Sequence, residues 1–227
     1  MDDVKESGGQ KARRPDKRAE RSRRTREKIA EAARDLFVAQ GYGATSLQEV
    51  ADRAGVAVQT VYFVFRNKRA LFKDVVDMTI AGDAEPVATM DRDWFRGACA
   101  EPTAAGQVRA HVRGVREILG RVAPMIPLIA AASATDPEIA AQWPAGPDPR
   151  WTVQRAAAEA LTDKPDARPD VGVDRAADLL YGLLSPELYL VFVRDRGWSP
   201  ETWEQWARDA LTAQLCTGGG TSGPDHA

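Results

Sequence analysis

Apolar residues along the first third of the chain recur at helical spacing. From about Arg23 to Gln40, Ile29, Ala32, Ala33, Leu36 and Phe37 fall three and four residues apart among charged positions, which predicts an amphipathic helix. Gly41 stops it where a left-handed cap residue is usual. In the following "TSLQEVADRAGV", Ser46 and Glu49 have the spacing of a capping box, so a short helix should run from about Leu47 to Arg53. Gly55 permits a tight break because a positive φ carries no Cβ penalty there. Val58 to Phe63 can then form a second short helix, with Val58, Val61 and Tyr62 as contacts to its neighbours. Helix, glycine-containing turn and helix make the helix-turn-helix arrangement, whose second helix can enter a major groove.

The stretch "VQTVYFVFRNKRALF" sets Val61, Tyr62, Phe63, Val64 and Phe65 directly against Arg66, Asn67, Lys68 and Arg69. A buried strand ended by a solvated turn would also give this local pattern. The flanking helices favour a short helix and its exit, with Asn67 as N-cap of a further helix beginning at Lys68. Cations in a first turn oppose the macrodipole, which prefers acidic residues there by ~0.3–1 kcal/mol. A phosphate would reverse the sign, so free N–H groups with Lys68 and Arg69 read as an anion site.

Beyond this region the chain reads as helices punctuated by Pro and Gly. From about Thr103 to Ile129, Val108, Val112, Val115, Ile118, Leu119, Val122, Met125 and Ile126 keep helical spacing, and Pro124 and Pro127 should kink or fray the end. Asp136 with Pro137 starts another short helix. A helix over about Arg150 to Leu161, a linker "TDKPDARPDVGVD" and a long helix from an Asp174 cap towards Arg194 follow, the last bent near Tyr181 to Ser185 by Pro186. Ser199 caps the final helix with Pro200 at its first position.

Charge divides the chain. Residues 1–73 carry 17 Lys/Arg against 10 Asp/Glu, a net of +7, and the remainder a net of −9. A basic N-terminal part suggests a polyanionic partner. Within it "KARRPDKRAERSRRTREK" is either a solvated tail or an arm that follows phosphates. Cys99 and Cys216 cannot frame a disulfide scaffold or a four-ligand zinc site, and His111 and His226 are far apart, so neither a metal nor a cofactor is expected. The charged N-terminus lacks a signal-peptide core, and "APMIPLIAAASA" is short and broken by Pro, so a cytoplasmic protein without a membrane partner is expected. Catalytic signatures such as G-x-S-x-G, HExxH or a phosphate-binding glycine loop are absent from the sequence, which argues against an enzyme.

The segment "TREKIAEAARDLFVAQGYGATSLQEVADRAGVAVQTVYFVFRNKRALFKDVV" resembles the DNA-binding domain of the TetR family of bacterial transcriptional regulators. The likeness rests on the amphipathic first helix, "GYGATS", "AGV" at the turn, "VYF.F.NK" and "ALF" in register. It implies an all-α homodimer: an N-terminal three-helix helix-turn-helix module on a palindromic operator, and a larger C-terminal domain that binds a small effector. The corresponding division is a flexible basic arm (1–21), the DNA-binding domain (22–78), a helical ligand-binding and dimerisation domain (79–216) and a flexible tail (217–227).

By that resemblance Thr45, Tyr62 and Lys68 would contact phosphates, while Val58, Gln59 and Thr60 would face base edges; Arg23 and Arg24, in the basic run at the start of the DNA-binding domain, would join the phosphate contacts. Gln59 has the best chemistry for readout, since its amide can pair bidentately with adenine. The family often has His-Tyr-Phe at Phe63-Val64-Phe65 and Ser or Thr at Ala57, so two phosphate contacts and a helix cap are lost here. Trp94, Phe95, His111, Met125, Trp143, Trp151 and Tyr181 are aromatic or soft groups suited to an apolar effector pocket, or else ordinary core. Leu184, Leu188, Phe192, Trp203, Trp206, Ala210 and Leu211 would form the dimer interface, or alternatively an intramolecular core. The sequence thus predicts an effector-released repressor, with a ligand-independent DNA-binding dimer as the competing reading.

Overall fold

A computed structural model describes residues 17–83, 87–141 and 148–218. All its regular elements are helical. The N-terminal module consists of α1 (Lys17–Ala44), α2 (Leu47–Ala54), α3 (Val58–Phe65) and α4 (Lys68–Ala81). The expected periodicity sets its core: Ile29, Ala33 and Phe37 of α1 are fully buried, as are Val50 and Ala51 of α2, Val61 of α3, and Leu71 and Phe72 of α4. Phe37 meets Phe72 edge-on at 5.1 Å, and Tyr42 closes on Phe72 at 4.9 Å. The run Val61–Phe65 is therefore the second half of a helix, with Val61 and Phe65 turned inward, and not a strand.

The C-terminal part comprises α5 (Asp93–Ala100), α6 (Ala104–Val122), α7 (Ile126–Thr135), α8 (Pro137–Ala140), α9 (Pro149–Thr162), α10 (Val173–Leu183), α11 (Pro186–Leu190) and α12 (Pro200–Leu215). Helix α6 is central, packing on α5, α9, α12 and, across the module boundary, α4. Thr103 caps it, and the Asp166 carboxylate accepts from its Ala104 and Ala105 amides at 2.5 and 3.1 Å. Burial works against the Asp166 charge, but these amide bonds outweigh it and hold the carboxyl below its ordinary range. The proline effects follow expectation. A 3-10 turn over Ala123–Met125 ends α6, and the Asp136–Pro137 and Ser199–Pro200 starts are in place.

Four expectations fail. Helix α1 already begins at Lys17, so residues 17–21 are helical and not a flexible arm; residues 1–16 lie outside the described part. The helix expected from Asp174 to Arg194 is three pieces: α10, α11 and a π-helical turn over Val191–Asp195. Pro186 cannot continue the hydrogen-bond ladder, and Ser185 recaps the chain by accepting from the Leu188 amide. Asp174 does not cap α10: Gly172 holds that position, and Asp174 pairs with Arg155. The expected flexible tail starts too early, since the Thr217 amide donates to the Asp166 carbonyl at 2.8 Å; residues 219–227 are undescribed.

Two segments, Ala104–Thr135 and Val173–Asp195, are long and apolar enough by composition to cross a membrane. Each is broken by its prolines into shorter helices, of which α7 packs on α1 and α8, and α10 on α9 and α12.

Candidate nucleic-acid interface

Local chemistry builds the helix-turn-helix. The Ser46 hydroxyl accepts from the Glu49 amide at 3.2 Å and the Ser46 amide donates to the Glu49 carboxylate at 2.8 Å, closing the capping box that starts α2. The Ser46 amide and hydroxyl, both donating to it at 2.8 Å, hold the Glu49 carboxyl below its ordinary pKa. Gly55 ends α2 at φ 63°, ψ 42°, a left-handed conformation in which a side chain would be strained. Ala57 precedes α3 without a side-chain cap, so the family's missing Ser or Thr has no replacement there.

Helix α3 turns Val61 and Phe65 into the core and leaves Gln59, Tyr62 and Phe63 on its outer surface, with Val58 and Thr60 half-buried at the flanks. Tyr62 is 53% exposed and Phe63 89%. None of the eight residues of α3 is charged. The outer surface is thus one amide and two aromatic rings. Tyr62 does not pack on neighbouring helices as the sequence suggested, because i+1 from the buried Val61 turns it outward.

The proposed phosphate contacts are placed unevenly. Thr45 is 2% exposed; its hydroxyl donates to the Gly41 carbonyl at 2.9 Å and receives the Gln40 amide at 3.3 Å. It ties the bend between α1 and α2 and offers no outward group. Ser46, one residue on, is the exposed polar residue there. The Lys68 ammonium donates to the Gly43 carbonyl at 3.1 Å and lies 4.4 Å over the Tyr42 ring. Burial pulls its pKa down, with the Glu49 charge opposing.

Asn67 caps α4 as expected, its side chain accepting from the Ala70 amide at 2.9 Å. Arg69 does not complete an anion site. It leaves the helix start to meet Asp136 and Glu138, both at 2.7 Å, and so joins α4 to the beginning of α8. Arg23 and Arg24 stand exposed on α1 and share Glu20 at 2.7 and 2.9 Å.

The seven expected pocket residues do not converge. Trp94, Phe95 and His111 form one aromatic cluster with ring separations of 5.6–6.0 Å. Trp94 lies so close to Gly114 that an added Cβ would come within 2.2 Å of its ring. Trp151 and Tyr181 form a separate pair at 5.6 Å, with the Arg150 guanidinium over Tyr181 and the Tyr181 hydroxyl on Asp148 at 2.5 Å. Met125 is buried in the turn after α6, and Trp143 lies outside the described residues. Of the seven only Trp94 lines the open groove of about 530 Å³ bounded by Asp91, Arg92, Glu117 and Arg121.

His111 is 1% exposed and pairs through Nε2 with Gln154 Oε1 at 2.8 Å. Burial pulls its pKa down, the Gln154 bond opposing. Gln107, one turn earlier, donates to the Ala157 carbonyl at 2.7 Å. His111 Nδ1 and Gln107 Oε1 are buried with no hydrogen-bond partner among the described residues.

The proposed interface also divides. Trp203 and Leu211 are fully buried within the chain and Leu184 is 1% exposed, so these three belong to the intramolecular core. Leu188, Phe192, Trp206 and Ala210 are half-buried. Phe192 sits between Trp198 at 4.5 Å and Trp206 at 4.7 Å.

Residues 29–75 match the family model described as bacterial regulatory proteins, tetR family. The same fold extends over most of the chain in solved structures. One, from Mesorhizobium loti MAFF303099 and assigned to the TetR-family transcriptional regulators, superposes with a TM-score of 0.64 at 22% identity, covering 87% of this chain and 99% of that one. The family match is thus confined to the N-terminal module, and beyond it the likeness is one of fold. The chain shares the all-α architecture of those structures, an N-terminal helix-turn-helix domain followed by a helical C-terminal domain.

Two further structures of this fold hold ligands. A transcriptional regulator from Saccharomonospora viridis in complex with choline gives a TM-score of 0.63 at 17% identity over 85% of this chain and 98% of that one. A SmeT–triclosan complex gives 0.62 at 21% identity over 90% and 98%. Among curated proteins no match is found.

Sequence reasoning overlooked Ser46 as the exposed residue at the start of α2, although its capping-box role was read. It also passed over Gln107 and Gln154. Gln107 lies four residues before His111, one helical turn away on the same face, a spacing that could have flagged a shared polar site.

Proposed function

We propose that this protein is a cytoplasmic homodimeric repressor that binds a palindromic operator and is released from it by a small, largely apolar effector. The outer surface of α3 carries the reading. It presents Gln59, Tyr62 and Phe63 without acidic residues, beside Lys68 at the start of α4. Gln59 would pair with adenine, Thr60 and Val58 would flank it, and Tyr62, Lys68, Ser46, Arg23 and Arg24 would meet phosphates. Two copies of α3 about 34–36 Å apart would address successive major grooves. The half-buried Leu188, Phe192, Trp206 and Ala210 supply an apolar surface for pairing two copies.

Titration of random-sequence duplex against salt tests the phosphate contacts. Lys68→Ala should weaken binding to every sequence and flatten the log–log salt slope by about one unit. An unchanged slope removes Lys68 from the interface.

Gln107 Oε1 and His111 Nδ1 favour an effector that donates hydrogen bonds. With Nε2 donating to Gln154 Oε1, a neutral His111 leaves Nδ1 as an acceptor, so both unpartnered atoms seek donors. Trp94 and Phe95 would cover the apolar body of the effector after moving off α6. The solved complexes of similarly folded chains with triclosan and choline support a small-molecule effector for a protein of this fold.

The competing reading, an assembly-only C-terminal domain, is favoured by the close packing of Trp94 on Gly114. An effector must bind free and DNA-bound protein unequally, and a coupling of ~1–3 kcal/mol would change operator affinity about 5- to 150-fold. Operator affinity that ignores every member of a library of small phenols, alcohols and amines would favour the assembly-only reading.

A further inference from the structure

We propose that Phe63 is a sequence-reading residue that packs on the 5-methyl group of a thymine, and that the operator half-site is consequently A·T-rich under α3. This rests on the DNA-binding reading above. Three observations lead to it. Phe63 is 89% exposed, a large apolar ring held in water on an ordered helix whose next-but-one neighbours Val61 and Phe65 are 0% and 3% exposed. It stands four residues after Gln59, so both project from one side of α3 and address neighbouring base pairs. And α3 has no Arg or Lys, the side chains that most often pair with guanine O6 and N7, so its means of discrimination are an amide suited to adenine and rings suited to a methyl group.

The ring would gain little elsewhere in the groove. The major-groove edge of guanine offers two acceptors and that of cytosine an amine, and a phenyl ring satisfies neither, whereas the thymine methyl is the apolar feature of that surface. Burying one methyl group against the ring corresponds to about a fourfold change in affinity per half-site. Tyr62, 53% exposed and carrying a hydroxyl, can reach a phosphate oxygen beside it, which orients the neighbouring ring without itself reading a base.

The test uses the full chain and duplexes enriched from a random library by the wild-type protein. The enriched half-site should contain adjacent A·T pairs. Replacing its thymines one at a time by deoxyuridine removes only the methyl group; at one position wild-type affinity should fall about fourfold per half-site. At that position a 5-methylcytosine duplex should bind more tightly than its cytosine counterpart. Phe63→Ala should bind the thymine and deoxyuridine duplexes equally, while Phe63→Leu should keep part of the preference. The ring makes no core contact to lose, so the variants should melt as the wild type does.

A wild-type protein indifferent to deoxyuridine at every position overturns the proposal while leaving DNA binding intact, as does an enriched half-site made of G·C pairs. Failure to enrich any duplex overturns both this inference and the DNA-binding reading. Phe63→Ala that changes molecular mass in solution with operator affinity and methyl preference unchanged would assign the ring to a protein–protein contact and overturn it as well.

Discussion

On α3 the side chains without an internal partner face outward, with Phe63 almost wholly exposed beside Gln59, whereas on α6 the unpartnered groups, Gln107 Oε1 and His111 Nδ1, lie inside the fold. The difference is one of cost. An exposed phenyl ring forfeits the gain of burial, but a buried polar atom without a partner costs ~1–3 kcal/mol. Surface readout can therefore be carried by a few residues on an otherwise ordinary helix. An internal polar site strains the domain that contains it and must be supported by strong packing nearby. In the C-terminal domain that support comes from α6 and α12, where Val108, Val112, Trp203, Ala207 and Leu211 are completely buried.

The largest expected effect tests that support. Trp203→Ala should destabilise the protein by ~3–5 kcal/mol, and the loss should not depend on protein concentration, because the ring packs on Tyr189 of its own chain at 5.0 Å. Denaturant melts at two concentrations separated a hundredfold check this. A strongly concentration-dependent loss would return Trp203 to the dimer interface. Trp203→Phe should cost far less, since its indole N–H is buried with no hydrogen-bond partner among the described residues.

The next effect is specific to the buried polar site. The native pKa of His111 lies below its ordinary value of 6.5 because burial opposes the charged form. The unfolded chain therefore takes up a proton, as pH falls through about 6.5, that the folded protein does not bind. Stability is full above that pH and should fall below it, by up to ~1.4 kcal/mol per pH unit from this group, until the native pKa is reached. Carboxylates also titrate at the acid end, so the informative quantity is the difference between wild type and His111→Gln from pH 7 to pH 5. Parallel profiles would show that His111 is not the group responsible.

How far the sequence foretold this contrast depended on whether each signal was local. The capping box at Ser46–Glu49, the turn at Gly55 and the Asn67 cap involve residues within four positions of one another, and each formed as read. Apolar spacing likewise identified the buried faces of α1 and α6. Thr45, Arg69 and the pocket residues were harder, because their surroundings are set by distant parts of the chain. Thr45 is buried by the fold of the bend, Arg69 meets carboxylates 67 and 69 residues away, and Gln154 reaches His111 across 43. The break between α10 and α11 was visible in Pro186, but the π-helical turn after it had no comparable local marker.

The cap of α2 offers a smaller and more local break in the N-terminal module. Ser46→Ala removes the hydroxyl that accepts the Glu49 amide and should cost about 1 kcal/mol. If Ser46 also meets a phosphate, operator affinity should fall beyond what the stability loss explains, measured where the variant remains fully folded. Ser46→Asp separates the two roles, since aspartate caps helices well but repels a phosphate. A well-folded Ser46→Asp protein that binds duplex as the wild type does would confine Ser46 to capping.

The smallest effect on stability should come from the link between the two regions. Arg69 is partly exposed and its bonds to Asp136 and Glu138 are accessible to solvent and salt, so Arg69→Met should leave the unfolding free energy almost unchanged. Methionine keeps much of the apolar stem and removes the charge. Because Arg69 crosses from α4 to the start of α8, the loss should be felt locally, as faster amide exchange around Asp136 to Ile139, where the Asp136 carboxylate both caps α8 and receives Arg69. Burial of the Arg69 charge is slight, so high salt should abolish most of the difference between wild type and variant. Exchange around α8 that is identical in the two proteins at low salt would mean that the packing of α4 on α6 and of α7 on α1, and not this ion pair, fixes the N-terminal module against the rest of the chain.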